Sequence, residues 1–255
     1  MQGETELDFM RHKLLFLPFL IAIVGLSMLG QRGSVDAANP VPAPAHKAPV
    51  VVELFTSQSC SSCPPADALL GELAKHDNVI ALGCHVTYWD HLNWRDTLSR
   101  KFCTERQRAY ARHMGANQVY TPQMVVNGTV QFVGSNRAKA SQAIASSTVQ
   151  PIKLERTDTN TLTATLPVLA GGPALQTLWM MRTHSEHTQA IKSGENRGKT
   201  ITYVNSVETL EQVGTWSGSA QTLSFPLPKG EAENPSFTLI AQPQGFGGIT
   251  AAGRL

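Results

Sequence analysis

The sequence predicts an α/β domain followed by an all-β, sandwich-like domain, and three observations carry that prediction. Cys60-Ser61-Ser62-Cys63 stands between a β-branched apolar run (Val50, Val51, Val52, Leu54, Phe55) and an apolar helical pattern (Ala66, Leu69, Leu70, Leu73), so strand, thiol pair and helix follow one another. Asn127-Gly128 separates two short apolar runs, a strong hairpin signal, because both turn residues must take positive φ. From Gln150 onward, short runs rich in Thr, Val and Leu alternate with glycine and proline, as antiparallel sandwiches do.

The chain begins with a segment that reads as a targeting signal. Arg11, His12 and Lys13 precede an apolar run from Leu14 to Gly30, and Val35-Asp36-Ala37-Ala38 offers small residues for cleavage, the layout of a secretory signal peptide. Glu4, Glu6 and Asp8 make an acidic preface that is odd for export, so Met10 is a candidate start. The apolar run is seventeen residues and contains Pro18, short for a membrane span, with an uncleaved anchor as the competing reading. Residues 1–38 are thus read as the leader, 39–47 (NPVPAPAHK) as a Pro/Ala linker, 48–149 as the α/β domain and 150–255 as the β domain. The expected location is secreted or periplasmic, where disulfides persist, with membrane contact only if the leader stays. The first 37 residues hold three basic and four acidic groups, leaving 18 and 15, a net charge of +3 that is too mild to argue for a nucleic-acid partner.

Within the first domain each element has its own signal. A thiol at a helix N-terminus faces unpaired N–H groups and the positive end of the dipole, which favour its thiolate and make Cys60 a candidate nucleophile. Cys63, one turn on, can close a disulfide against it. Pro64 and Pro65 suit a first helical turn, where no N–H partner is lost. A static structural disulfide and a metal half-site are the competing readings of this motif. The helix runs to about Lys75, and Asn78 to Val86 reads as a buried parallel strand. Tyr88 to Arg95 is an aromatic, polar loop. Leu98 to Met114 is a helix, with Phe102, Ala109 and Met114 on its apolar side and Arg106, Arg108 and Arg112 largely outward. Thr121-Pro122 opens the closing hairpin, where a residue without an N–H belongs at the strand's beginning. The alanine-rich stretch Arg137 to Ser147 is the last helix.

This order, with C-x-x-C opening the first helix and Thr-Pro before the hairpin, resembles the thioredoxin fold over residues 50–147. The strings ELFTSQSCSSCPPAD, HVTYWD, RQRAYA, VYTPQMVVNG and GENRGK are more closely similar to a secreted thioredoxin-like family labelled as a domain of unknown function. The resemblance implies that Cys60 attacks, that Cys63 resolves, and that Pro122 is a cis-proline facing the disulfide. Thr121 would then offer its backbone to an extended substrate strand. Glu53 resembles the carboxylate that many such proteins bury as a proton acceptor, although it lies seven residues before Cys60, one more than is typical. A strand-edge glutamate facing solvent is the alternative.

Cys84 and Cys103 lie outside the motif. With export and an even cysteine count, a structural disulfide between them is one expectation and two buried free thiols the other. His85, Trp89, Asp90, His91 and Trp94 cluster where the second strand ends, the side on which ligand crevices form in open α/β sheets. Copper capture by Cys60, Cys63 and His85 is a minor reading, since copper-delivery relatives space their cysteines by three residues. In the second domain, Gly194 to Lys199 (GENRGK) reads as a charged loop before a long strand, solvated by default and docked on the groove in the sharper reading. His184 and His187 sit on a strand end, where they diverge, and are assigned no metal site.

The leading functional reading is therefore an exported thiol-disulfide oxidoreductase acting on a protein or small thiol/disulfide substrate, with a further redox partner of its own. It implies no organic cofactor and no metal, because the thiol pair carries the electrons. A non-catalytic binding module with a structural Cys60–Cys63 bond is the second reading, and copper delivery the third.

Overall fold

In a computed structural model the described residues are 48–171 and 175–255. The expected leader and linker lie outside them, as does most of the Gly171-Gly172-Pro173 stretch. The first half runs β1 (Val50–Thr56), α1 (Pro64–Leu73), β2 (Val79–His85), α2 (Lys101–His113), β3 (Gln123–Val126), β4 (Val130–Val133) and α3 (Arg137–Ser146). The second half is all strand: β5 (Gln150–Pro151), β6 (Lys153–Arg156), β7 (Thr161–Leu166), β8 (Gln176–Ala190), β9 (Thr200–Trp216), β10 (Gln221–Pro226), β11 (Pro235–Pro243) and β12 (Ala251–Arg254).

β1 and β2 are buried at every position, which explains why they read as continuous apolar runs rather than alternating ones. They pair in parallel, Val50 opposite Val79 through Thr56 opposite His85, while β3 and β4 extend the sheet antiparallel on the β1 side. Asn127 and Gly128 take φ of 47° and 67°, the left-handed values that the hairpin requires. Alternate residues of β1 face two cores. Val50, Val52 and Leu54 pack with Leu69, Leu70 and Leu73 of α1 and with Ala140, Ala143 and Ile144 of α3. Val51 and Phe55 pack with Cys103 and Tyr110 of α2 and with Met181, Val207 and Ile240 from the second half.

The sheet does not stop where the composition changes. Its order is β4-β3-β1-β2-β9-β8-β11-β12-β5, nine strands drawn from both halves, and all described residues fall in one compact unit. The join is a parallel contact between Gly83 and Ser206. A side chain at Gly83 would meet the Val204 carbonyl oxygen at 3.3 Å, so glycine permits the approach of β9. The boundary expected at 149/150 is thus a change in texture rather than a gap between sheets. A second sheet, β10-β7-β6, packs through Leu154, Leu162, Ala164, Leu166 and Phe225 on Leu178, Met180, Trp216, Phe237 and Leu239 of the large one.

β8 and β9 are far longer than the short strands expected there. They pair antiparallel from Gln176 opposite Trp216 to Ala190 opposite Thr200, with irregularities after Leu178 and Arg182. The outer part of this hairpin, rich in Thr, Ser, His and Glu, carries no apolar run that would mark it as strand. Its tip, residues 191–199, returns to the first half of the chain.

Candidate functional site

Cys60 and Cys63 form a disulfide, Cα atoms 5.4 Å apart, where β1 hands over to α1. After β1 the chain turns through Ser57, whose carbonyl accepts from the Cys60 N–H, and the Cys60 carbonyl accepts from the Cys63 N–H. Pro64 and Pro65 fill the first two helical positions and bring no N–H, while the N–H groups of Ala66 and Asp67 both turn back to the Cys63 carbonyl. The expectation of unpaired amides around Cys60 is corrected accordingly. At the helix start the donors are missing at Pro64 and Pro65 and bonded to the Cys63 carbonyl at Ala66 and Asp67, and the helix dipole still favours a thiolate. Both cysteines are buried, Cys60 at 3% and Cys63 at 0% exposure, whereas Ser61 and Ser62 face solvent. The Ser62 hydroxyl lies 3.4 Å from Cys60 Sγ.

The Thr121–Pro122 peptide is cis. Pro122 sits beside the first turn of α1, since a Cβ built on Gly134 would lie 3.1 Å from Ala66 and 3.1 Å from Pro122. The Pro122 carbonyl accepts from the Gly134 N–H, and the Thr121 hydroxyl accepts from the Trp89 indole at 2.8 Å. Thus the aromatic loop, the prolyl strand and the helix start converge on one end of the sheet.

Directly under the turn lies a buried titratable cluster. His85 Nδ1 is 2.7 Å from Asp96 Oδ2, and that same oxygen accepts from the Gln58 N–H, two residues before Cys60. Oδ1 of Asp96 accepts from the Leu98 N–H. Burial works against the Asp96 carboxylate, yet the His85 charge and these hydrogen bonds outweigh it and hold its pKa below the usual value. Burial likewise opposes an imidazolium at His85, and Asp96 outweighs it, so the His85 pKa is raised. Asp67, on α1 four residues after Cys63, is pushed up to about 7, chiefly by burial and against the pull of His85. The Thr56 hydroxyl faces it without closing a well-formed hydrogen bond, and the Tyr203 hydroxyl of β9 is also buried without a partner among the described residues. Tyr203 meets the His85 ring edge-on, and the Ser206 hydroxyl is 3.5 Å from His85 Nε2. With both ring nitrogens facing protein partners, His85 is not turned to the cysteines as a copper ligand.

Sequence reasoning named His85 but missed Asp67 and Asp96. A signal for Asp67 was present: Cys63, Asp67 and Leu70 share one helical stripe, and a carboxylate inside an apolar stripe is buried. Asp96 carried no such mark, because it lies in the irregular stretch before α2.

Glu53 occupies neither expected place. It is 1% exposed, so it is no solvent-facing edge residue. It points to the α2 side of the sheet, opposite α1, where Oε1 accepts from Arg106 Nε at 2.5 Å and Oε2 from Arg106 Nη2 at 3.0 Å and the Tyr110 hydroxyl at 2.5 Å. Arg106, expected outward, is 2% exposed and is held also by Gln242 and by the faces of Tyr110 and Phe246. On the same side a second disulfide joins Cys84 and Cys103, Cα atoms 5.3 Å apart. These two bonds are of the kind that oxidising compartments preserve. No helix among the described residues is long and apolar enough to cross a membrane.

The GENRGK stretch is the tip of the β8–β9 hairpin, and it rests on the thiol turn. Asn196, with no exposed surface, donates through Nδ2 to the carbonyls of Gln58 and Cys60, each at 2.9 Å. Glu195 accepts from the Ser61 N–H at 3.3 Å, and the Ser193 hydroxyl donates to the Asn93 carbonyl. Trp94 completes the seam by donating to the Gln58 side chain at 2.8 Å. A cleft of about 680 Å³ opens here between Ser59, His91, Lys192, Glu195 and Arg197. Elsewhere His184 and His187 come within 6.1 Å ring to ring, and among the described residues no group of three or more metal-ligating side chains forms.

Known proteins share this architecture. A crystallised protein from Agrobacterium tumefaciens is 28% identical, with a TM-score of 0.71 over 83% of this chain and 96% of that one. HBP35 of Porphyromonas gingivalis is similar in fold, with 17% identity, a TM-score of 0.57 and coverage of 83% and 76%. No curated protein matches. A model of proteins of unknown function, DUF1223, matches residues 51–242, a span that takes in both disulfides, the prolyl turn and the hairpin tip. The chain belongs to the DUF1223 family.

Proposed function

We propose that this chain is an exported thiol-disulfide oxidoreductase with a thioredoxin-like first half. The element order β1-α1-β2-α2-β3-β4-α3 and the sheet order β4-β3-β1-β2 support the fold reading. The observation that carries the activity is a disulfide at the N-terminus of α1, at the carboxyl ends of two parallel strands, with Pro122 beside the same helical turn. In reduction of this bond, a substrate thiolate attacks Cys60 Sγ and the Cys60–Cys63 bond breaks. Cys63 leaves as a thiolate and takes up a proton. A second substrate thiol then attacks the mixed disulfide, so two thiols are oxidised to a disulfide and Cys60-Cys63 gains two electrons. Thr121 and Pro122 would flank the substrate backbone. The two disulfides support a secreted or periplasmic location.

The burial of Cys60 favours a second reading, a binding module in which the bond is a fixed staple. Titration in dithiothreitol redox buffers separates the two. The oxidoreductase reading expects a potential above about −300 mV, and a value well below that identifies a structural bond. Cys63→Ala should, in addition, trap a disulfide-linked partner on Cys60 in an oxidising extract.

A further inference from the structure

The hairpin tip has no role in the chemistry above, yet it is hydrogen-bonded to the thiol turn at Gln58, Cys60 and Ser61. Asn196 bridges two carbonyls of the turn with its amide, and Lys199 Nζ in turn holds its Oδ1 at 2.8 Å. The tip is a closed unit. The Ile191 N–H donates to the Lys199 carbonyl, the Gly198 N–H donates to the Ile191 carbonyl, and Gly194 and Gly198 take φ of 74° and 83°. A side chain at Gly194 would press on Trp94 Cβ at 3.2 Å, so glycine lets the tip seat against the aromatic loop. With the tip seated, the attacking cysteine keeps 3% of its surface, and a cleft lined by Ser59, Lys192, Gly194, Glu195 and Arg197 opens beside the residue that precedes it. That cleft has the volume for a small molecule, not for the flat surface of a folded protein.

We propose that the 191–199 tip, seated through Asn196, sets the substrate class of the Cys60–Cys63 disulfide: small thiols reach it through the cleft, and protein dithiols are excluded while the tip is down. This rests on the oxidoreductase reading. Asn196 is here a positioning residue, acting through the tip. A small thiol needs only a path to Cys60 Sγ for in-line attack, whereas a protein dithiol must also bring its backbone up to the turn, where Glu195 and Asn196 already occupy the Ser61 N–H and the Cys60 carbonyl.

The test compares reduction rates of the full chain by dithiothreitol and by a reduced folded protein that carries a surface C-x-x-C dithiol. Each rate is normalised to that reagent's rate with an unhindered small disulfide. Two variants are used. Asn196→Ala removes the clasp, and a second replaces residues 191–199 by Asn-Gly, which the pairing of Ala190 with Thr200 allows to close as a two-residue turn. Circular dichroism and melting checks that each is folded. The normalised protein rate in the unmodified chain should be at least tenfold below the dithiothreitol rate. Both variants should raise it tenfold or more while the dithiothreitol rate moves less than threefold. Equal normalised rates in the unmodified chain, or variants that change both rates together or neither, overturn the selectivity claim and leave the oxidoreductase reading standing. Failure of both reagents on every folded variant overturns that reading itself.

Discussion

Two buried charge clusters lie on opposite sides of the same pair of strands, and they are built to different standards. On the α2 side, Arg106 and Glu53 meet through two hydrogen bonds, Tyr110 and Gln242 add more, and two aromatic rings flank the guanidinium. Under the thiol turn, His85 and Asp96 are paired, but Asp67, Thr56 and Tyr203 keep polar atoms without well-formed partners. A fully satisfied buried pair resists change in either charge state, because every lone pair and proton is committed. A partly satisfied one keeps a group that can gain or lose a proton at modest cost. The contrast argues that the Arg106 cluster anchors α2 and the C-terminal strands to the sheet, and that the cluster holding Asp67 is poised to respond to pH near the disulfide.

Substitutions can break that contrast. The largest effect is expected at Arg106. Arg106→Ala strands the Glu53 carboxylate in the core and should lower urea stability by about 3–5 kcal/mol, while the double variant Glu53→Gln/Arg106→Met recovers much of the loss. A loss below about 1 kcal/mol from the single variant would mean the pair is solvated or dispensable. Next in size is the staple on the same side. Replacing both Cys84 and Cys103 by alanine frees a loop with a sequence separation of 19 and should cost about 3 kcal/mol, leaving any Cys60 reactivity in place.

A pH-dependent effect sharpens the other half of the comparison. The Asp67 carboxyl titrates at about 7 in the folded chain against an ordinary value of 3.8. Between these values the folded state holds a proton that the unfolded state has lost, so this group's contribution is present below pH 3.8 and is lost as pH rises through 7. His85, also raised, adds in the same direction. Asp67→Asn cannot ionise, so its stability relative to the unmodified chain should rise by about 4 kcal/mol between pH 4 and pH 8 in parallel urea titrations. A flat difference would show that Asp67 is ionised throughout and that the two clusters do not differ in kind.

Much of the first half is legible residue by residue. Strand, thiol pair and helix follow from periodicity around Cys60, and the Asn127-Gly128 turn follows from two residues that alone tolerate the required φ. The same reasoning placed Arg106 outward, because an arginine on a predicted helix is ordinarily solvated. Its partner stands 53 positions earlier on β1, and nothing local marks that pairing. The long β8–β9 hairpin escaped for a related reason. Its outer half is polar, so its extended form is held by inter-strand hydrogen bonds rather than by an apolar pattern.

Taken alone, the chain determines what short-range physics can decide: that paired cysteines begin a helix, that apolar runs become buried strands, that Asn-Gly turns back on itself. Only the tertiary structure decided that β9 would lie beside β2, that Asn196 would close over a turn 136 residues earlier, and that Asp67 would be left holding a proton. Each of these depends on which distant surfaces exclude water together. Burial is a property of the assembled fold, and it is burial that turns an ordinary asparagine into a clasp and an ordinary aspartate into an acid.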